Sequence, residues 1–370
     1  MAANTDTIQL LNAYIEPRVS PRGFFSGFFM TRPGNIHAAE HVEWDVQRGQ
    51  KKLSIPVPDL ATGFRYNSRD RYTTKKIKPA THMEAVPLSS FDMLKRLPGN
   101  NPYEKAQNPS FRADLMQEIM AAMAIEQDKI LRAIELQASQ VLQTGQISQV
   151  DSNGNVVYDA DFLPKSAHFP TAGTSWASAT FAQKMTDLET LLDLIRDNGK
   201  VQPDILIFGK TAFQNLLRTT EFQALLDNRR IDQGMISLLE ERGNGGQYRG
   251  LLEIGNYQVR VWTYNDTYDD PQTGNPTEYM DAGKIIAMSS QAHLDATFGM
   301  IPHLGQALGA SNGFNLPGLT GRVSMSDKDF DMFSHVWLDP AGFNAFVGLG
   351  SRPLMVPTAI DTFACLDTQL

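Results

Sequence analysis

The sequence is poor in the features that mark secreted and membrane proteins. It has one cysteine, Cys365, among 370 residues, so an internal disulfide is excluded and a reducing cytoplasm is expected. The N-terminus lacks the charged and then apolar pattern of a signal peptide. No apolar run approaches the roughly 18 residues that a membrane span requires. The length of 370 residues suggests about two domains, and these absences favour a chain that is held together by noncovalent contacts and has no membrane partner.

Motifs that carry chemistry are also missing. The seven histidines show no spacing typical of metal ligands, and there is no Gly-x-Ser-x-Gly elbow or Cys/His nucleophile pair. Asp151, Asn153 and Asn155 place oxygen atoms at alternate positions, but the glycine and the last ligand of a calcium loop are out of place, so a hairpin turn is predicted. The glycine-rich stretch 243–250 lacks Gly-Lys-Ser/Thr, and a flexible loop is predicted there. We therefore expect no enzyme activity, no cofactor and no metal.

Charge is distributed unevenly along the chain. The formal net charge is −8, which argues against a protein that wraps nucleic acid with its main surface. Residues 48–78 instead have a net charge of +7. Their cations are Arg48, Lys51, Lys52, Arg65, Arg69, Arg71, Lys75, Lys76 and Lys78. A positive arm on an acidic body favours contact with an identical neighbour. The alternatives are a solvated hairpin and a nucleic-acid surface, since Tyr66 and Tyr72 lie among the cations.

Residues 1–45 are predicted to form an arm, because Pro17, Pro21 and Pro33 prevent a long regular element. This arm contains an aromatic cluster of four residues: Phe24, Phe25, Phe28 and Phe29. The cluster is too short and too interrupted for a membrane span, so we expect it to contact the same subunit or a neighbouring one. The basic segment that follows alternates apolar and polar residues, and its prolines predict an edge strand or a freestanding hairpin.

A long helix is predicted over 109–142. Asn108 and Pro109 are a strong start signal, because the donor that proline lacks would have no partner at the first helical position. Apolar residues then recur at helical spacing until Thr144 and Gly145 end the pattern. The 34 positions would span roughly 50 Å, which is long for a compact domain.

The rest of the chain predicts a second domain with α-β-α-β order. A hairpin over 146–162 is expected to turn at 151–155. The predicted helices then cover 181–197 and 211–226, and the predicted strands cover 204–208, 257–262, a pair at 284–289 and 293–298, 333–338 and 353–356. Because extended segments return at the end of the chain, we interpret the second domain as an insertion in the first.

Six stretches stand out by their order and spacing along the chain: Lys-Pro-Ala-Thr-His-Met-Glu (78–84), Leu-Lys-Arg-Leu-Pro (94–98), Asn-Pro (101–102), Asn-Pro-Ser-Phe-Arg (108–112), Ser-Arg-Pro-Leu-Met (351–355) and the tail 361–370. Together they resemble the major capsid proteins of tailed bacteriophages, in the phage lambda head-protein group. The resemblance implies an α+β protein of the Hong Kong 97-like fold. In that fold the N-terminal arm would be 1–45, the E-loop 46–82, the P-domain 83–180 with its spine helix 109–142, the A-domain 181–325, and the return to the P-domain 326–370.

The resemblance also implies a structural protein that assembles into pentamers and hexamers of an icosahedral head enclosing double-stranded DNA. The nine cations of 48–78 would then be intersubunit contacts, and the four phenylalanines would be arm contacts. The implied partners are further copies of the chain, a separate scaffold protein, a portal and packaged DNA, with room for a decoration protein. The protein would assemble in the bacterial host cytoplasm and reside in the virion. The alternatives are an encapsulin-type cellular compartment of the same fold and a soluble enzyme built on the α-β-α-β segment.

Overall fold

The computed structural model describes residues 23–31, 36–37, 40–47, 72–89, 111–223, 245–301, 321–325, 330–338 and 344–369. The chain divides into two compact units, and each is built from separate segments. The described residues of unit 1 come from Ala80–Ala133 and Phe298–Pro353. Those of unit 2 come from Arg22–Pro79, Ile134–Thr297 and Leu354–Leu370.

The helices and strands of the described residues are numbered in chain order. The α-helices are α1 (Phe111–Thr144), α2 (Phe181–Gly199) and α3 (Lys210–Leu217), and short 3-10 helices lie at Ser26–Phe28 and Ser166–His168. The strands are β1 (Ile36–His37), β2 (Val42–Gln47), β3 (Tyr72–Ile77), β4 (His82–Ser89), β5 (Gln146–Val150), β6 (Val156–Asp161), β7 (Ile205–Phe208), β8 (Gly246–Ile254), β9 (Tyr257–Tyr264), β10 (Thr267–Asp269), β11 (Pro276–Glu278), β12 (Lys284–Met288), β13 (Asp295–Gly299), β14 (Gly321–Met325), β15 (Phe330–Leu338), β16 (Asn344–Ser351), β17 (Pro353–Val356) and β18 (Phe363–Asp367). No helix among them is both long enough and apolar enough to cross a membrane.

Helix α1 has 34 residues and therefore spans roughly 50 Å. The predicted start at Asn108 and Pro109 lies outside the described residues. The predicted end is confirmed: Gly145 has φ +69°, and its N–H donates to the carbonyl of Val141 at 2.8 Å. Glycine adopts this left-handed conformation at little cost, so it ends the helix without strain.

Unit 1 contains a four-stranded antiparallel sheet in the order β14-β15-β16-β4. Its core lies against the part of α1 that belongs to this unit, where Ile119 and Ala122 pack with Val336 and Val347. Ile119 and Ala122 are three residues apart and therefore share one face of the helix. Val336 and Val347 lie on the two central strands of the sheet, so this face of the helix is buried.

Unit 2 contains a five-stranded sheet in the order β18-β12-β7-β9-β8, in which β7 and β9 are parallel. Leu188, Leu191, Leu192 and Ile195 of α2 are fully buried in its core. Helix α2 begins with a capping box between Thr180 and Gln183, in which each side chain bonds a backbone N–H that the helix leaves without a partner. In β18, Cys365 is buried, and burial raises the pKa of its thiol to about 12.

The predicted helix over 211–226 is interrupted: α3 ends at Leu217, and the described chain is helical again over 220–223. The N–H of Thr219 donates to the carbonyl of Leu216 at 3.2 Å, which closes the last turn. The buried Lys184 of α2 donates from Nζ to the carbonyl of Asn215 at 2.7 Å. A lysine therefore satisfies one of the carbonyls that the end of α3 leaves without a helical partner.

The prediction of a flexible loop over 243–250 is wrong for its second half, since β8 begins at Gly246 and pairs with β9. Two glycines of this stretch have structural roles. Gly246 allows close packing, because a Cβ there would overlap the ring of Phe24. Gly250 has φ +128° and follows a shift in the register of β8 and β9, as in a β-bulge. The predicted pairing of 284–289 with 293–298 is also wrong. Strand β12 lies between β18 and β7 and has no free edge, so β13 pairs with β1 and β17 instead.

Candidate functional site

The aromatic cluster of the arm lies against its own chain. The 3-10 helix Ser26–Phe28 turns the backbone so that Phe24 stacks on Tyr264 of β9, with ring centroids 5.0 Å apart, and contacts Trp262 at 5.8 Å. Phe25 is fully buried and meets Tyr264 edge-on at 4.8 Å. Phe29 is buried, whereas Phe28 is half-buried. Phe24 also contacts the rings of Phe25 and Phe28, so three of the four phenylalanines form one aromatic cluster within unit 2.

Glu135 of α1 binds the backbone of this aromatic cluster. Its carboxylate is buried and accepts the backbone N–H of Phe25 at 2.7 Å and that of Ser26 at 2.9 Å. Tyr264 donates its hydroxyl to the same carboxylate at 3.3 Å, and burial, with the nearby Glu135 charge, raises the pKa of Tyr264. A carboxylate that accepts N–H groups at the start of a helical turn forms charge-assisted bonds, which are stronger than neutral ones. Glu135 therefore ties α1 to the arm.

Sequence reasoning missed Glu135. The signal that could have found it is its position: it lies on the apolar face of α1, one residue after Ile134 and three before Ala138, both of which are fully buried. A carboxylate on such a face is costly unless it accepts hydrogen bonds. Its presence there predicts an internal partner with N–H or O–H groups to donate.

The last turns of α1 hold two hairpins of unit 2. Gln140 donates to the carbonyl of Ser148 at 2.7 Å and accepts the N–H of Ser148 at 3.1 Å, which fixes β5. Gln143 donates to the carbonyl of Tyr279 at 2.9 Å and accepts the N–H of Asp281 at 3.0 Å, which fixes the chain after β11. Ser139 donates to the same Tyr279 carbonyl. The β5–β6 and β10–β11 hairpins are thus attached to one end of one helix.

The turn of the β5–β6 hairpin has the predicted form. The carboxylate of Asp151 accepts the N–H of Asn153 at 2.8 Å and that of Asn155 at 2.9 Å, and these bonds hold the pKa of Asp151 below its ordinary value. The oxygen atoms of Asp151 are therefore used inside the turn. Within the described residues, no group of histidine, cysteine or acidic side chains is arranged to hold a metal ion.

Of the basic segment 48–78, only residues 72–78 are described, together with the preceding residues 40–47. Strands β2 and β3 form a two-stranded antiparallel sheet that no further described strand joins. Lys76 lies 2.6 Å from Glu43 and Lys78 lies 2.8 Å from Glu40, and all four side chains are exposed. Lys75 is opposite Trp44 in the ladder. The other six predicted contact residues lie outside the described residues: Arg48, Lys51, Lys52, Arg65, Arg69 and Arg71.

In unit 1, an ion cluster joins β4 to α1. Lys129 donates to Glu84 at 2.9 Å and to Glu126 at 3.0 Å. Burial raises the pKa of Glu126. Burial also acts to raise the pKa of Glu84, but the bond from Lys129 contributes to a net shift below its ordinary value. The structure therefore favours an ionised Glu84. Its ion pair with Lys129 attaches β4, the strand that follows the basic segment, to α1.

Comparison with known proteins gives one family and several structures. The chain matches the family model described as phage major capsid protein E over residues 7–367. A protein from E. coli CFT073, described as a prophage capsid protein, is similar with a TM-score of 0.57 and 15% identity over 99% of each chain, which shows a shared fold. The capsid of Myoviridae phage XM1 is similar with a TM-score of 0.44 and 11% identity, over 96% of this chain and 95% of that one. The SrpI encapsulin of Synechococcus elongatus PCC 7942 has a TM-score of 0.42 and 11% identity, over 100% of this chain and 96% of that one. No curated protein matches.

Proposed function

Because this chain belongs to the phage major capsid protein E family, we propose that its copies form the pentamers and hexamers of an icosahedral head around double-stranded DNA. The protein is a structural component of the virion and assembles from many copies of itself. The observation that carries the finer proposal is the match over residues 7–367, together with the shared fold over 99% of the prophage protein. The same match favours a phage head over an encapsulin-type compartment.

The proposed parts of the subunit follow the family fold. Residues 1–45 serve as the N-terminal arm, 46–82 as the E-loop, 83–180 as the P-domain, 181–325 as the A-domain and 326–370 as the return to the P-domain. Support for a contact role of the E-loop comes from β2 and β3, since an isolated two-stranded hairpin is marginally stable in water. The exposed ion pairs of Lys76 and Lys78 are worth about 0–1 kcal/mol each, so they add little to the stability of this hairpin. Contacts with a neighbouring subunit would stabilise it.

The proposed partners other than the chain itself are a separate scaffold protein, a portal, packaged DNA and, on the outer surface, a decoration protein. Assembly takes place in the bacterial host cytoplasm. The net charge of −8 supports a wall that faces DNA without binding it tightly or with sequence preference, because affinity for phosphate comes mainly from lysine and arginine.

Deletion of residues 50–76 tests the contact role of the E-loop. The variant should stay folded and soluble but form no closed particles, because many weak intersubunit contacts are lost at once. The purified wild-type and deleted proteins would be compared by electron microscopy, with and without a scaffold protein. Normal particles from the deletion variant would refute the role of the E-loop, and a wild type that never forms shells would count against the proposed head.

A further inference from the structure

The β5–β6 hairpin has an uncovered face that is apolar and surrounded by carboxylates. Val150 and Val156 lie opposite each other in its ladder and are 38% and 60% exposed. Val157 is 71% exposed. The hairpin pairs with no third strand among the described residues. Exposed β-branched side chains on a two-stranded sheet are a surface that another chain can cover.

A second hairpin extends this surface. The glycine turn of β5–β6 lies beside the β10–β11 loop, where a Cβ at Gly154 would touch the side chain of Gln272. We define the acidic double hairpin as residues 146–163 and 264–283. It contains eight carboxylates and neither lysine nor arginine: Asp151, Asp159, Asp161, Asp266, Asp269, Asp270, Glu278 and Asp281.

Most of this negative charge has no counter-charge in the described part of the chain. Asp281 pairs with Lys284 just outside the double hairpin. Six of the other carboxylates form no salt bridge with any described residue: Asp151, Asp159, Asp266, Asp269, Asp270 and Glu278. Like charges held close together repel one another, and a cationic partner would relieve that repulsion.

The double hairpin is also rigid where it meets α1. Gln140 bonds both backbone groups of Ser148, and Gln143 bonds the chain at Tyr279 and Asp281. A surface that is already ordered loses little conformational freedom when a partner binds. The acidic double hairpin therefore has the properties of a preformed receptor for an extended, basic segment.

The chain supplies such a segment itself. Lys76 and Lys78 have partners in their own hairpin, which leaves residues 48–75 with a net charge of +5. This segment also contains Leu53, Ile55, Val57 and two tyrosines, which suit the exposed valines. DNA is excluded as the occupant by its own negative charge. We propose that the acidic double hairpin of one subunit binds residues 48–75 of a neighbouring subunit. This inference rests on the proposed shell function.

A charge exchange tests the pairing. The surface variant is Asp159→Lys with Asp269→Lys, two exposed residues outside the turns. The arm variant is Arg69→Glu with Arg71→Glu. Each alone should lower the yield of shells by at least about tenfold, because like charges then face each other. The quadruple variant, which combines all four substitutions, should recover most of the yield. The matched control is Glu189→Lys with Glu221→Lys, which makes the same charge change at exposed positions elsewhere in unit 2 and should assemble normally.

A disulfide test uses almost unchanged subunits, so it does not depend on tolerance of charge reversal. One subunit carries Ser68→Cys and the other Thr277→Cys, while the native Cys365 is buried. In mixed shells, mild oxidation should give covalent dimers on non-reducing gels. Oxidation of either single-cysteine subunit alone should give none. A chain with both substitutions that crosslinks only within itself would show that 48–75 folds back on its own subunit, and would overturn the proposal.

The outcomes separate this inference from the proposed function. Wild-type shells together with a normal yield from the surface variant would leave the head protein in place and refute this binding surface. Direct pairing would be refuted if the surface and arm variants each fail to assemble, the control assembles, and the quadruple variant still forms no shells. Recovery of the yield together with intersubunit dimers would establish it. A wild type that forms no shells would count against the proposed function itself.

Discussion

Glu135 gives the sharpest test of how the arm is held. Replacement by glutamine keeps the size of the side chain but turns one of its two oxygens into an amide group, which would face a backbone N–H. Hydrogen bonds to charged groups are worth about 1.5–3 kcal/mol each, and a buried donor left without a partner costs about 1–3 kcal/mol. The carboxylate accepts both Phe25 and Ser26, so Glu135→Gln should weaken the attachment of the arm by about 2–4 kcal/mol.

Hydrogen exchange followed by mass spectrometry would measure this loss. A factor of ten in the opening equilibrium corresponds to about 1.4 kcal/mol, so the peptide covering 23–30 should exchange about 30- to 1000-fold faster in Glu135→Gln. Glu118→Gln, a half-buried carboxylate earlier on the same helix, serves as the control and should leave that peptide unchanged. Exchange within threefold of the wild type at Phe25 and Ser26 would refute the tie between α1 and the arm.

Two further predictions concern stability. Gly145→Ala should lower the free energy of unfolding by about 2–4 kcal/mol in thermal or denaturant melts, because Gly145 has φ +69° and the added Cβ would overlap the ring of Pro164; Gly173→Ala, which has open space, should change it by less than about 0.5 kcal/mol, and equal effects would contradict the argument. Burial lowers the pKa of Lys184 from its ordinary 10.5, so the folded chain binds that proton less readily than the unfolded chain, and the wild type should gain stability relative to Lys184→Met as pH rises through the lowered value towards 10.5. A difference between the two proteins that stays flat or shrinks over that interval would be inconsistent with a buried charged amine.

Local patterns predicted most of the secondary structure. The end of α1 was predictable because Gly145 follows a long apolar stripe, and the β5–β6 turn because Asp151 can bond the backbone two and four residues on. Strand β17 was predictable as a short extended segment bounded by proline. In each case the deciding interactions lie within a few residues of one another in sequence.

Distant contacts explain what the sequence did not reveal. Gly246 was interpreted as part of a flexible loop, yet it lies in a strand because β9 pairs with it and Phe24 covers it. Helix α3 ends early because Thr219 and Lys184 satisfy its last carbonyls. The role of Glu135 depends on backbone groups of the arm more than a hundred residues away, and the grouping of the acidic hairpins depends on two glutamines of α1. None of these partners can be identified from local spacing.

The contact between Phe24 and Gly246 has a consequence for how this family can diverge. The aromatic ring occupies the space that a side chain at position 246 would need, so the two positions share a single volume. We expect homologues to substitute them together: a relative with alanine or a larger residue at the equivalent of 246 should have a smaller side chain at the equivalent of 24. Covariation between these two columns of an alignment would record, across lineages, that the arm is seated on β8 and β9.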